Sequence, residues 1–483
     1  LNASAPEFAG ILIACGAAAA AVVADDPRRR LRWALLALVA APILVLGDVW
    51  DESRVVDFRH SPAQIAALLL LGGTALGLLV AFLRRYPKAF AVAAFAVLPL
   101  RVPIEVGGET ANLLVPLYLV IAAGLVTMLL DPPAARSEPA TPWPRRLRLA
   151  LAATLVLYAI QSAYSEDVAN AIENLGFFLV PFAVLFTLLL EVGWDRRLLG
   201  GVLVAVVGVA VVVSLIALYQ SATRTMFLNP ELFDSNELHV YFRVNSIFFD
   251  PNILARYLAL AITALGAYLA WWQGRRGLLA AAIAAAICLA AISFSYSITG
   301  LSALIVGLGT VALLRWGLRG AAVAVGLGLV ALVALVVAGG TPSSDIEDYR
   351  SIDSGHADLV RGGLDLAEDR PIAGWGSGAF GRAFYDHIER ARTTVSHSEP
   401  ITVAAEQGVI GFAAYLALLV TGLATLFGGP VRRSLARSAV AACFVVLLWD
   451  SFGYTGFAID PAMWALLALG VVLRADRASD PII

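Results

Sequence analysis

The chain has 483 residues, 60% of them apolar and 14% charged, with a formal net charge of −2 and a mean hydropathy of +0.82. Soluble proteins carry about a quarter charged residues, so this composition excludes a soluble enzyme on a single anchor. Continuous apolar stretches such as VLVAVVGVAVVVSLIAL exclude an outer-membrane barrel, whose strands alternate in polarity.

At about 20 residues per helical crossing of a hydrocarbon core ~30 Å thick, the apolar content supplies on the order of fourteen crossings. In chain order the apolar runs fall near 8–24, 33–50, 63–83, 89–105, 111–130, 149–165, 172–192, 198–219, 251–271, 278–294, 298–314, 321–338, 400–427, 438–457 and 459–474. The expected fold is therefore an all-α polytopic membrane protein, a bundle of roughly 12–15 spans. The first run is read as a span and not a signal sequence, because Arg28, Arg29 and Arg30 follow it instead of preceding it.

If each run crosses once, alternate connections carry the arginine clusters: Arg28 to Arg32, Arg84 and Arg85, Arg145 to Arg148, Arg196 and Arg197, Arg275 and Arg276, Arg315 and Arg319, Arg432 to Arg437, then Arg474 and Arg477. The positive-inside rule places that set on the cytoplasmic side, with the N-terminus outside and the C-terminus inside. Two long connections, 220–250 and 339–399, then face outward, as do all five histidines, His60, His239, His356, His387 and His397. Long loops in compact proteins are more often functional than decorative. The sequence thus divides into N-terminal spans 1–197, a region 198–427 containing both long loops, and C-terminal spans 428–483.

Several chemistries lack their signatures. No GxxxxGK[ST] loop, no GxGxxG after a strand and no HExxH occurs. Cys15, Cys288 and Cys443 each sit inside an apolar run, so neither a disulfide framework nor a thiol metal site is expected. No metal, cofactor or nucleic-acid partner is expected.

Three segments carry candidate chemistry. The first is RVNSIFFDPNILARY, Arg243 to Tyr257. Asp250, Pro251 and Asn252 suit a helix start, with the aspartate as N-cap and the proline in the first turn, where its missing N–H costs nothing. Arg256 follows one turn into an apolar run, where facing lipid would cost several kcal/mol, so it is expected to face a polar cavity. The second segment, Arg361 to Phe380, contains Gly374, Gly376 and Gly378, whose missing side chains permit a tight backbone able to approach a sugar or phosphate. Just upstream and overlapping it, HADLVRGGLDLAED reads as an amphipathic helix. The third segment is HSEPITVAAEQGVIG, where His397, with Glu399 two residues on, stands immediately before an apolar run.

Together these segments resemble the O-antigen ligase and O-antigen polymerase superfamily over roughly residues 198–427. Its members show an arginine ahead of a phenylalanine and a D-P-N or N-P-N triplet, here Arg243, Phe248, Phe249 and Asp250 to Asn252. An R-x-n-P-x-x-G-x-G-x-x-F stretch follows, here Arg361 with Pro371 to Phe380. A histidine-led H-N segment and E-x-G-x-x-G then appear, here His397, Glu406, Gly408 and Gly411. Two departures stand out: Tyr296 occupies the place of a family arginine in SFSYSITG, with Arg256 the candidate replacement, and Ser398 replaces the asparagine after His397.

The resemblance implies a GT-C-like glycosyltransferase moving a glycan from an undecaprenyl-diphosphate-linked donor to an acceptor hydroxyl, on another glycan or lipid-linked glycan, at the outer face of the bacterial cytoplasmic (inner) membrane. The carrier's lipid tail would lie among membrane lipid. Its implied catalytic residues are His397 as general base, with Arg243 and Arg256 on the diphosphate. Arg361, Asp250, Asn252, Tyr296, Glu399, Gly374, Gly376 and Gly378 would contact substrate. The rival class is a polytopic transporter or flippase of a lipid-linked or anionic substrate, which would show internal repeats and Gly/Pro-broken helices at the midplane.

Overall fold

The computed structural model describes residues 3–106, 109–133, 142–227, 242–271, 277–338, 346–388 and 395–475. His239, Arg275, Arg276, Arg477 and parts of both long connections lie outside the described residues. Among the described residues the secondary structure is helical, as the composition requires of a multi-pass protein, apart from one antiparallel hairpin, β1 (Val102–Val106) and β2 (Glu109–Leu113). Among the same residues eight helices are long and apolar enough to cross a membrane, and three shorter apolar helices accompany them. Each of the fifteen apolar runs contains a helix. Three differ clearly in extent: 89–105, where Pro99 stops the helix and Val102 begins the hairpin, 111–130, whose first residues belong to β2, and 438–457, whose helix ends at Asp450.

The chain folds as two units. The first comprises residues 1–193, 358–425 and 458–475. It contains α1 (Ala5–Val23), α2 (Pro27–Asp48), α3 (Ser53–Arg59), α4 (Pro62–Arg85), α5 (Ala89–Val97), α6 (Val115–Leu130), α7 (Trp143–Ser162), α8 (Val168–Asn174) and α9 (Val180–Glu191). Side-chain caps start several of these: Ser4 and Glu7 form a reciprocal capping box on α1, and Asp26 accepts from the Arg29 N–H on α2. A π-turn, Leu175–Leu179, joins α8 to α9. Pro181 has no N–H to offer the Phe177 carbonyl, and the Tyr118 hydroxyl donates to that carbonyl instead at 2.7 Å. α9 is buried along its whole length, packed by α1, α2, α6 and the last helix. Its end is fixed by an ion pair between Glu191 and Arg30, both buried.

The second unit comprises residues 194–357, 426–457 and 476–483. Its helices are α10 (Arg196–Thr223), α11 (Pro251–Trp271), α12 (Leu278–Phe294), α13 (Ile298–Ala338) and, following a 3-10 turn, α17 (Leu435–Asp450). α13 contains the two runs 298–314 and 321–338. Gly317, at φ 78, reverses the chain between them, and Gly309 and Gly328 let the two halves approach, facing Val325 and Ile305. Small residues seat α11 closely against α13: Gly300 lies on Ala255, where any side chain would overlap.

The remaining helices are α14 (Ile346–Asp369), α15 (Phe380–His387), α16 (Glu399–Phe427) and α18 (Pro461–Ala475). The C-terminal half of α14, with α15, α16 and α18, belongs to the first unit. Within α14, Gly362, Gly363 and Leu366 are buried while Arg361, Leu364 and Asp365 are exposed, the two-faced pattern read from HADLVRGGLDLAED.

Candidate functional site

The predicted site residues divide between the two units. Arg243, Asp250, Asn252, Arg256 and Tyr296 belong to the second, and Arg361, Gly374, Gly376, Gly378, His397 and Glu399 to the first.

In the second unit, the segment 242–250 leads into α11 and is held by a buried side chain. Gln220, near the end of α10, accepts from the Ser246 N–H at 2.6 Å and donates to the Ser246 carbonyl and the Asn245 side chain at 3.1 and 3.2 Å. Ser246 takes a left-handed φ of 55, and its hydroxyl donates to the Val213 carbonyl at 2.7 Å. This brace sets the half-buried Arg243 beside the turn between α12 and α13, where Arg243 Nε donates to the Ser295 carbonyl at 3.1 Å. Tyr296 is the next residue of that turn, at φ 50. Pro251 opens α11 as the D-P-N triplet predicts, and Asp250 Oδ1 accepts from the Asn252 N–H at 2.6 Å. Asn252 Oδ1 accepts from the Ser297 hydroxyl at 2.7 Å, which ties the triplet to the same turn.

Arg256 is buried among polar groups, as its place in an apolar run demands. Its Nε lies 2.5 Å from Asp450 Oδ2, and Nη2 donates to the Tyr454 and Thr455 carbonyls at 3.0 and 3.3 Å. Sequence reasoning passed over Asp450, although a lone carboxylate inside the apolar run 438–457 is the signal that points to such a partner.

In the first unit the glycine-rich stretch is packed against protein. Gly374, Gly376 and Gly378 have φ of 69, 102 and 75 and are all buried. An added Cβ would overlap the Glu406 backbone at Gly374 and the Ser165 backbone at Gly376, and would lie 2.9 Å from the Ala171 nitrogen at Gly378. The space that their missing side chains leave is filled by the chain itself. Main-chain bonds from Trp375 N to Ala405 O (3.0 Å) and from Gly376 N to Glu406 O (2.8 Å) fix the stretch to α16. The half-buried Glu406 carboxylate accepts from the Gly378 and Phe380 N–H groups at 3.0 and 3.2 Å, at the start of α15. Ser165, Asn170 and Gln161 add side-chain bonds from the other flank. Tyr164 donates its hydroxyl to the Ala373 carbonyl at 2.6 Å.

His397 occupies a tight polar turn immediately before α16. Its φ is 59, in a left-handed region that few residues other than glycine adopt. The Ser396 hydroxyl donates to the Ser398 carbonyl at 2.8 Å and lies 2.9 Å from the Thr402 hydroxyl, which accepts from the Ser396 N–H at 3.2 Å. The turn is thus buried on both sides of a half-exposed histidine. Glu399, buried at the first position of α16, accepts from the Ala458 N–H at 3.4 Å. Gly363 of α14 faces Ser396, so the helical turn carrying the exposed Arg361 adjoins the turn carrying His397. Among the described residues no group of three or more His, Cys, Asp or Glu side chains has the arrangement of a metal site.

With this geometry in view, comparison with protein families supplies the deciding observation. Residues 283–416 match the O-antigen ligase family. The matching segment extends from α12 into α16 and contains Tyr296, Arg361, the glycine stretch, His397 and Glu406. Arg243, Asp250, Asn252 and Arg256 precede it. No curated protein matches the chain. The matching segment lies in a polytopic all-α membrane protein, with eight long apolar helices among the described residues.

Proposed function

We propose that this protein transfers or polymerises a glycan from an undecaprenyl-diphosphate-linked donor onto an acceptor hydroxyl at the outer face of the cytoplasmic membrane. The leaving group is a lipid diphosphate whose charge grows as the glycosidic bond breaks. A guanidinium stabilises that growth with charge-assisted contacts and requires no metal to do so. Arg243, half-buried and braced through Gln220, takes this part. The acceptor hydroxyl loses its proton as it attacks, and an imidazole with an ordinary pKa near 6.5 accepts a proton efficiently at neutral pH. His397 takes this part. Attack opposite the diphosphate inverts the anomeric centre in one displacement, without a covalent sugar intermediate. The exposed guanidinium of Arg361 is available to the donor sugars.

The observation that carries this reading is the turn at 396–402. Within the segment that matches the family, a half-exposed histidine is locked at a costly backbone angle by two hydroxyls. A non-glycine residue at positive φ stores about 1–3 kcal/mol, strain that concentrates at functional positions.

The test is an assay of the purified protein with a lipid-linked oligosaccharide and a panel of acceptors in EDTA. Wild type is expected to form product, His397→Ala to lose about 10²–10⁴-fold in rate, and Arg243→Ala about 10²–10³-fold. Absence of product with every acceptor, or full rate from His397→Ala, would refute the reading.

A further inference from the structure

The C-terminal end of α17 and the turn after it lie beyond the O-antigen ligase segment, yet they grip the D-P-N helix start from two directions. Asp450, fully buried, holds Arg256 Nε at 2.5 Å. Tyr454, four residues on, donates its hydroxyl to Asp250 Oδ2 at 3.2 Å, and its ring centre lies 5.2 Å from the Arg256 guanidinium carbon. The carbonyls of Tyr454 and Thr455 take two further bonds from Arg256. From Asp250 the network continues through Asn252 to the Ser297 hydroxyl, and the Ser295 carbonyl two residues away supports Arg243. One connected set of polar contacts therefore joins Asp450 to the turn that carries Arg243 and Tyr296.

Packing alone does not explain this arrangement. Desolvating two charges is costly, and well-packed apolar residues of similar volume often serve stability as well or better. A buried pair that reaches from α17 toward the turn carrying Arg243 and Tyr296 gains orientation in return for that cost.

We infer that Asp450 and Tyr454 are positioning residues for glycan transfer: Asp450 orients the Arg256 guanidinium, and Tyr454 orients the Asp250–Asn252 helix start and, through Ser297, the turn beneath Arg243. The inference rests on the glycan-transfer reading above. Asp450 and Tyr454 act through Arg256 and Asp250 and need not touch substrate.

The experiment separates positioning from charge compensation. Asp450→Asn alone leaves Arg256 buried without its counter-charge, so lowered stability is expected whatever the role of the pair. The double variant Arg256→Gln with Asp450→Asn removes both charges. It is expected to elute and melt like wild type yet to lose about 10²-fold in kcat on a lipid-linked oligosaccharide, with acceptor KM unchanged. Recovery of both melting temperature and kcat in the double variant would make the pair purely structural and overturn the inference. Tyr454→Phe, which removes one hydroxyl, decides the matter if the double variant does not fold. A kcat lower by about fivefold at wild-type melting temperature supports positioning, and an unchanged kcat and donor KM overturns it. Wild type is assayed alongside. Product from wild type with an unimpaired double variant sinks this inference alone, whereas no product from wild type removes the glycan-transfer reading and this inference with it.

Discussion

Two loops that lead into helices, 371–379 before α15 and 242–250 before α11, are held in place by opposite means. The first depends on shape. Three glycines at positive φ bring its backbone into contact with Glu406, Ser165 and Ala171, and main-chain bonds to α16 complete the fit. The second has a single left-handed residue, Ser246, and gets its form from side chains, chiefly the three bonds made by Gln220. A glycine pattern in a family motif thus marks close packing here, while the loop without a glycine pattern presents its arginine on a polar brace.

The sharpest way to break this contrast is Gly376→Ala. The backbone angle of φ 102 disfavours any L side chain, and the new Cβ overlaps Ser165. Strain of about 1–3 kcal/mol plus overpacking of a similar size predicts a loss of roughly 3–5 kcal/mol. Thermal unfolding in detergent, with limited proteolysis between 358 and 388, is expected to show an early opening of this layer. An unchanged melting temperature would mean that shape does not hold the loop.

Gln220→Ala tests the other side and is expected to have the smaller effect. It removes an acceptor from the buried Ser246 N–H and two donor bonds, and stranding that N–H is worth about 2 kcal/mol. The same unfolding measurement should place Gln220→Ala between wild type and Gly376→Ala, with transfer activity falling because Arg243 loses its support. A larger loss than that of Gly376→Ala would reverse the comparison.

The contrast also marks what the sequence reveals and what it does not. Helices follow from apolar length, and their starts follow from local chemistry: Ser4 with Glu7, Asp26, and Asp250 before Pro251 all act within three residues of themselves. The glycine stretch announces a special backbone for the same reason. Its partners do not announce themselves, because Gly376 meets Ser165 and Gly378 meets Ala171 from more than two hundred positions away. The histidine, the first arginine and the D-P-N triplet are legible as residue types in order. The brace from Gln220, the Tyr118 bond to the Phe177 carbonyl and the Asp450 partner of Arg256, 194 residues distant, exist only in three dimensions. A tight glycine turn and a ligand-binding glycine loop also read identically, since both need only the absence of a Cβ. In the structure the vacated space is taken by the backbone of α8 and α16 and of the connection after α7.

The mildest test concerns the exposed rim of the same glycine stretch. Trp375 is clasped between Arg370, whose guanidinium carbon lies 3.6 Å from the ring centre, and His387, whose ring centre is at 4.3 Å. Glu166 joins the two, 3.0 Å from Arg370 Nη2 and 3.4 Å from His387 Nε2. Because the Arg370 and His387 side chains are 44% and 41% exposed, water screens these pairs, and exposed ion pairs contribute about 0.2–1 kcal/mol. Glu166→Gln is expected to lower stability by about 0.5 kcal/mol at low salt. The difference should vanish near 1 M salt, where the screening length falls to about 3 Å. A loss of several kcal/mol that persists in high salt would show that the rim, and not the buried contacts of Gly374, Gly376 and Gly378, holds this loop in place.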